Sequence, residues 1–332
     1  MTTMRDVALA AKVSLKTVSR VVNAEPGVRP DTAARVQAVV DALDFRPNNV
    51  ARSLRAGRSL PLIGLVIGDQ ANPFYSGIAR GVEEVARRHR YLVITGSSDD
   101  QQVREQQLVT SLRQQQVAGL LLVPARDHAH RPLDLGGRLP VVFVDRPPHS
   151  GEGDAVVLDN RGGARQGVEL LIRLGHRRIG LVCDGLPYFT IDERIAGYRE
   201  ALQGAGIPVD PALLVRGARD VTQATAAGRH LLSLDDPPTA LFALNNRTCV
   251  GVLRAVSGGR HEVSVLGFDG LELADLLSIP LILITHDPFE LGRCAARLLF
   301  ARLNGDRGPH RRMVLPTTLV SYGGCGRSQS AP

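Results

Sequence analysis

The stretch Val13-Ser14-Leu15-Lys16-Thr17-Val18-Ser19-Arg20-Val21-Val22-Asn23 decides the reading of the chain. It reads as a short helix, with Ser14 placed to cap it by accepting from the Thr17 amide. Val13 and Val18 fall at the two positions of a hydrophobic staple. Val18, Val21 and Val22 share one face by their three-and-four spacing, and that face must be buried. Leu15, Lys16, Ser19 and Arg20 occupy the opposite side. A helix seated on valine, with cations and hydroxyls facing out, suits insertion into a DNA major groove.

The flanking residues build a small domain around it. Thr3-Met4-Arg5-Asp6 has the pattern of a capping box with Asp in place of Glu, and it opens a helix whose apolar set is Val7, Ala8 and Ala10. Only about three residues separate the two helices, the spacing of a helix-turn-helix. A third helix begins with Pro30 and Asp31, and Ala33, Val36, Val40 and Leu43 line its inner face. On the second helix Lys16 and Arg20 can reach guanine O6 and N7, while Leu15 offers apolar contact to a thymine methyl. Ser14, Thr17, Ser19 and Asn23 suit phosphates, which set register without reading sequence.

Asp6-Val7-Ala8, Val13-Ser14 and Thr17 to Asn23 resemble the N-terminal signature of the lactose-repressor (LacI/GalR) family of transcriptional regulators. Arg46-Pro47-Asn48 and Ala51-Arg52-Ser53-Leu54-Arg55 extend the likeness into that family's hinge. It continues more loosely to about Thr318. Two departures stand in the head: Lys12 where the family often has Gly, and Arg29 where a capping Ser is common.

Domain organisation follows. Residues 1–46 are the helix-turn-helix DNA-binding head and 47–60 a hinge helix with its linker. Pro47 blocks continuation of the third helix, and residues 48–55 can make two turns, too few to be stable alone in water. Such a segment orders when two copies pack together on DNA. The resemblance implies that Leu54 wedges into a minor-groove step and that Arg55 reaches minor-groove edges or phosphates.

From residue 61 the pattern alternates buried strands with amphipathic helices. Strands are expected at 62–67, 91–95, 119–123, 141–144, 178–183, 240–243, 263–267 and 281–285. Helices are expected at 74–89, 102–115, 162–174, 192–205, 222–234, 246–256 and 289–303. The fold class is therefore α/β, with parallel sheets covered by helices on both sides. Ligands in such sheets sit beyond the carboxyl ends of the strands. That rule selects 69–75, 97–98, 145–146, 184–194, 245–246, 269 and 286–287, a set rich in hydroxyl, carboxylate, amide and aromatic groups suited to a small polar ligand.

The resemblance sharpens this through Asn72-Pro73-Phe74-Tyr75, Phe143 to Pro147, Leu174 to Ile179, Glu193 to Tyr198 and Leu266-Gly267-Phe268-Asp269. It implies a two-lobed effector-binding and dimerisation domain over 61–322, of the kind shared with periplasmic sugar-binding proteins. Lobe 1 covers about 61–158 and 288–318, and lobe 2 about 159–287 and 319–322, with crossings near Leu158, Asp287 and Thr318. Residues 323–332 read as a disordered tail. The effector-binding set is Phe74, Tyr75, Asp145, Phe189, Arg194, Asn245 and Asp269, with Tyr188 and Phe189 as candidates for stacking on the ligand. Asn246 is a departure, since the family usually carries Asp there. His176 reads as a cation at a helix end, and His286-Asp287 as a hinge rather than a catalytic pair.

Charge agrees with this division. Residues 1–58 carry ten Lys/Arg against five Asp/Glu, so most of the net charge of +7 sits in under a fifth of the 332 residues. Neither a membrane-spanning apolar run nor a secretory signal is present, which implies a cytoplasmic, nucleoid-associated protein. Cys183, Cys249, Cys294 and Cys325 form no C-x-x-C pair, so no metal site is indicated, and the first three read as buried thiols. No cofactor is expected. With no Walker loop, G-x-G-x-x-G or nucleophile elbow, an enzyme on this scaffold is disfavoured and no catalytic residue is assigned.

The expected function is a homodimeric repressor that binds a pseudo-palindromic double-stranded DNA operator under control of a small-molecule effector, a carbohydrate by resemblance. The alternatives are a nucleoside or partner-protein effector, or a ligand carrier or enzyme on the same scaffold.

Overall fold

The computed structural model describes residues 2–22, 25–45, 61–125, 139–148, 152–185, 188–257 and 263–323. Asn23, Leu54, Arg55, the hinge 47–60 and the tail 324–332 lie outside the described residues. The chain divides into two compact units, residues 1–60 and 61–332.

The first unit holds α1 (Met4–Ala10), α2 (Leu15–Val22) and α3 (Pro30–Ala42). The capping box at α1 forms: the Asp6 carboxylate accepts from the Thr3 amide at 2.7 Å, and the Thr3 hydroxyl accepts from the Asp6 amide at 3.4 Å. Ser14 caps α2, accepting from the Thr17 amide at 3.1 Å. Val7, Val18 and Val36, one from each helix, are fully buried together. Each contributes roughly 2 kcal/mol by leaving water.

Two positions in this core differ from the sequence reading. Ala10 is exposed and Ala11 is buried, because Ala11 lies one full turn beyond Val7. Leu43 is 37% exposed, and Phe45 turns back into the core in its place. Lys12 has φ of +52°, a left-handed conformation that explains why glycine is common in this turn.

The second unit contains two six-stranded sheets. Lobe 1 is built on β1 (Leu62–Ile67), β2 (Leu92–Ser97), β3 (Gly119–Leu122), β4 (Val141–Val144), β5 (Asp154–Leu158) and β11 (Arg312–Leu315), in the order β11-β5-β4-β3-β1-β2. Its helices are α4 (Pro73–Arg88), α5 (Gln102–Gln114) and α10 (Pro288–Leu303). Lobe 2 holds β6 (Ile179–Cys183), β7 (Leu214–Arg216), β8 (Ala240–Ala243), β9 (Ser264–Phe268), β10 (Leu281–Thr285) and β12 (Thr318–Tyr322), in the order β12-β10-β9-β8-β6-β7. Here α6 (Asn160–Arg173), α7 (Phe189–Gly204), α8 (Val221–Leu232) and α9 (Asn246–Val256) cover the sheet. Each sheet carries an apolar core on both faces.

The lobe 1 sheet is wholly parallel, whereas β12 runs antiparallel to β10. Parallel addition needs a long crossover. The chain instead passes from Leu315 at the cleft end of one sheet to Thr318 at the cleft end of the other, so β12 must run away from the cleft. It also passes between lobes from β5 to α6 and from β10 to α10.

Four strands, β5, β7, β11 and β12, were not anticipated. His176 is not a helix-end cation either. It follows Gly175, which has φ of +97°, and its ring nitrogens reach the Thr239 and Ser264 hydroxyls at 2.8 and 3.0 Å. Burial lowers its pKa, so the ring ties two strand starts together as a neutral group. Cys183, Cys249 and Cys294 are buried free thiols.

Candidate functional site

On the head, α2 presents Leu15 and Lys16 to solvent, with Ser19 and Arg20 half-buried beside them. The Ser14 hydroxyl sits 2.9 Å from that of Thr17 as well as capping the helix. Both hydroxyls are thereby fixed at the N-terminal end of α2, where backbone amides and the helix dipole favour a phosphate. The three valines and the turn hold this helix by one face, and Leu15 and Lys16 stand exposed away from it.

In the body, a cavity of about 90 Å³ lies between the lobes at the carboxyl ends of both sheets. Lobe 1 supplies Asp69, Asn72, Phe74, Tyr75, Asp100, Asp145 and Arg146. Lobe 2 supplies Asp184, Tyr188, Arg194, Asn245, Asn246, Arg247 and Asp269, among others. Asp145 directly follows β4 and Asp269 directly follows β9. Their φ angles are +67° and +77°, left-handed conformations that cost an aspartate about 1 kcal/mol each. The two strained carboxylates thus stand at equivalent strand ends, one per lobe.

Arg194 is nearly fully buried on α7. Its Nε donates to Asn160 Oδ1 at 2.8 Å, its Nη1 donates to the Leu244 carbonyl at 2.5 Å, and its plane stacks on Phe268 at 3.6 Å. Nη2 faces Asp269 Oδ1 at 3.8 Å, too far for a full hydrogen bond and near enough to share a ligand oxygen. Burial works against ionisation of Asp269, but Arg194, His286 and the Asn246 amide outweigh it and hold its carboxyl below the usual range. Asp145 shifts the other way, because its burial outweighs the pull of Arg146 and Arg194. Its Oδ1 is buried without a hydrogen-bond partner among the described residues.

Arg146 has a different part. Its guanidinium donates to Asp100 Oδ1 at 2.9 Å, the Pro124 carbonyl at 2.7 Å and the Tyr75 hydroxyl at 3.1 Å. Its outer face stacks 3.9 Å above the Tyr188 ring of lobe 2. It is a brace between lobes.

The mouth of the cleft is closed by two further contacts across it. Arg247 pairs with Asp69, and Asn246 Nδ2 donates to Asn72 Oδ1 at 2.7 Å. This accounts for the departure at 246. Asn72 Oδ1 already accepts from the Phe74 amide at 3.1 Å as the cap of α4, so it cannot turn round to donate. Its partner must therefore be a donor, which an aspartate is not. Asn246→Asp should set two acceptors against each other and open the cleft, weakening effector affinity about tenfold. Small-angle scattering of ligand-free protein would show a more extended body, and an unchanged profile would refute this role.

Of the effector-binding set read from sequence, the cavity brings together Phe74, Tyr75, Asp145, Arg194, Asn245 and Asp269. Phe189 is a correction. It opens α7 and points to a separate hollow, where Arg312 stacks over its ring at 5.1 Å, while Tyr188 one residue earlier turns into the cleft. Ser97 and Ser98 hydrogen-bond to the backbone of Gly68 and Ile67 and do not line the cavity. Asp100, which lines the cavity, and Asn160, which holds Arg194, were missed. Asn160 follows the unanticipated β5, so the strand-end rule never reached it.

Residues 3–48 match the family described as bacterial regulatory proteins, lacI family, and residues 168–323 match a periplasmic binding protein-like domain. The ribose operon repressor of Haemophilus influenzae is 32% identical over 324 residues, which span 96% of this chain and 97% of that one. The HTH-type transcriptional repressor CytR of Escherichia coli is 32% identical over 326 residues, 97% of this chain and 95% of its own. The crystal structure of the lac repressor bound to ONPG in the repressed state is similar with a TM-score of 0.84 at 29% identity, covering 96% of this chain and 98% of that one.

Proposed function

Because the chain belongs to the lacI family of bacterial regulatory proteins, we propose that it is a transcriptional repressor whose operator binding is set by a small neutral sugar in the interlobe cleft. Two heads on a homodimer read a pseudo-palindromic operator, with Leu15, Lys16 and Arg20 at base edges and Ser14, Thr17 and Ser19 at phosphates. Asn23, Leu54 and Arg55 carry phosphate and minor-groove contacts on the same reading. The protein works in the cytoplasm at the nucleoid and performs no chemical step. Among the described residues no helix is long and apolar enough to cross a membrane.

The observation that carries the effector class is the hydrogen-bonding capacity left in the cavity. Two Arg146 nitrogens are held by lobe 1, and Arg247 is taken by Asp69. Among the described residues Asp145 Oδ1, the Tyr188 hydroxyl and Arg146 Nε are buried without a partner, and Asp269 and one edge of Arg194 face the cavity, which Arg219 also lines. Carboxylates accept and hydroxyls donate, so Asp145 and Asp269 suit a polyhydroxyl ligand. The cavity is well below the roughly 300–1,000 Å³ of drug-sized sites, which favours a monosaccharide. A ligand at about 100 times its Kd stabilises by about 2.7 kcal/mol. A thermal-shift panel of pentoses, hexoses, their phosphates and nucleosides should therefore select a free monosaccharide. A shift from phosphates or nucleosides alone would reject the sugar assignment.

The head is tested separately. Arg20→Ala should cost about 1–3 kcal/mol of operator affinity and relax specificity at one base position. Fluorescence anisotropy against the operator and its single-base variants reads both. Equal loss on every sequence would place Arg20 on a phosphate.

A further inference from the structure

We propose that His286 is a positioning residue for the effector, holding the Asp269 carboxylate in its binding orientation and tying that hold to the hinge between the lobes. The proposal rests on the reading of the cleft as the effector site.

His286 lies between β10 and α10, in a segment that crosses from lobe 2 to lobe 1. Its side chain is only 3% exposed, and its Nε2 is 2.9 Å from Asp269 Oδ1. The second oxygen of Asp269 accepts from the Asn246 amide at 3.1 Å. These two contacts, one to each oxygen, set the rotation of the carboxylate and leave its remaining lone pairs for a ligand. Without His286, Oδ1 would keep only the distant Arg194 Nη2, and the side chain could swing.

The ring also touches both lobes. Phe74 of lobe 1 meets it edge-on at 5.2 Å and 85°, and Phe268 of lobe 2 lies tilted against it at 6.3 Å. A rotation of the lobes about the crossings must therefore move the ring relative to Asp269 or relative to Phe74, and both line or border the cavity. Asp269 is held as an acceptor, so the proton belongs on Nε2. Nδ1 is buried with no hydrogen-bond partner among the described residues. A neutral ring protonated at Nε2 leaves only a lone pair uncompensated there, whereas a charged ring would bury an unpaired N–H.

The test uses the full chain. In ligand-free protein labelled with 15N-histidine, the His286 signals are identified by their loss in His286→Gln. They should report the neutral ring protonated at Nε2 and should move in Asp269→Asn. Protonation at Nδ1, or no response to Asp269→Asn, would overturn the proposal. Affinity is then measured with D-ribose by calorimetry. His286→Leu keeps apolar packing against Phe74 and Phe268 and should weaken binding about tenfold. His286→Gln, whose amide N–H can reach the same oxygen, should stay within about threefold of the parent. Equal losses in both would make the ring mere packing, and no loss in His286→Leu would remove its role. Failure of the unmodified chain to bind D-ribose would rule out that monosaccharide as effector, while the tautomer measurement still decides the hold on Asp269.

Discussion

Asp269→Ala should abolish the response to effector while leaving operator affinity where it was. The carboxylate lines the cleft flanked by Arg194, and on the proposed reading it is the acceptor for ligand hydroxyls. Removing it deletes the hydrogen bonds to ligand and strips a nearly fully buried guanidinium of its nearest opposite charge. Hydrogen bonds to a charged group are worth about 1.5–3 kcal/mol each, and unpairing a buried charge adds to the loss. Effector affinity should fall at least about a hundredfold, or about 3 kcal/mol. Asp269→Asn keeps the shape but exchanges an acceptor for a donor, and should lie between the two. Calorimetry with the sugar chosen by thermal shift measures the first effect, and anisotropy on operator DNA measures the second. Near-parental sugar affinity in the alanine variant would show that the ligand sits elsewhere.

The parts of this architecture legible in sequence are those fixed by local physics. β1, β4, β8 and β10 run over the very residues expected because each is a continuous buried apolar run, as parallel strands covered on both faces must be. β11 escaped notice for the opposite reason. It is an edge strand, three of its four residues are exposed, and Arg312-Met313-Val314-Leu315 shows no alternation. β5 is buried throughout but opens on a carboxylate, Asp154, whose partner Arg302 lies far along the chain, so local pattern does not read it as a buried strand.

The same division runs through the cleft. Asp145, Asn245 and Asp269 could be selected because strand ends are predictable. The role of Arg146 could not, since its partners at Asp100 and Pro124 are 46 and 22 residues away. Tyr188 and Phe189 are adjacent and chemically similar. Which of them enters the cavity depends on the phase at which α7 begins, and helix starts are set less sharply than helix interiors.

Gly292→Val should destabilise the body more than any substitution considered above, and it should weaken effector binding from a distance. α4 and α10 cross with their backbones in contact. A Cβ at Gly292 would run into the Ile78 carbonyl, and one at Gly81 into the Phe289 carbonyl. Each glycine thus faces main chain on the other helix, which cannot rotate out of the way as a side chain could. Valine would force the helices apart through a core that includes Ile78, Val82, Leu291 and Ala295. Overpacking of this kind costs typically 1–3 kcal/mol, and obstruction by backbone places it at about 3 kcal/mol or more. Gly292→Ala recovers up to about 1 kcal/mol of helix propensity and should be the milder variant. The functional consequence follows from where these helices begin. α4 starts at Pro73, so its position sets Phe74, Tyr75 and the Asn72 contact to Asn246. α10 starts at Pro288, two residues after His286. Their separation therefore displaces the lobe 1 wall of the cavity relative to Asp269. Calorimetric unfolding should show the body transition lowered while the head, which has its own core, is unaffected. An unshifted body transition would mean that the two helices are not in backbone contact.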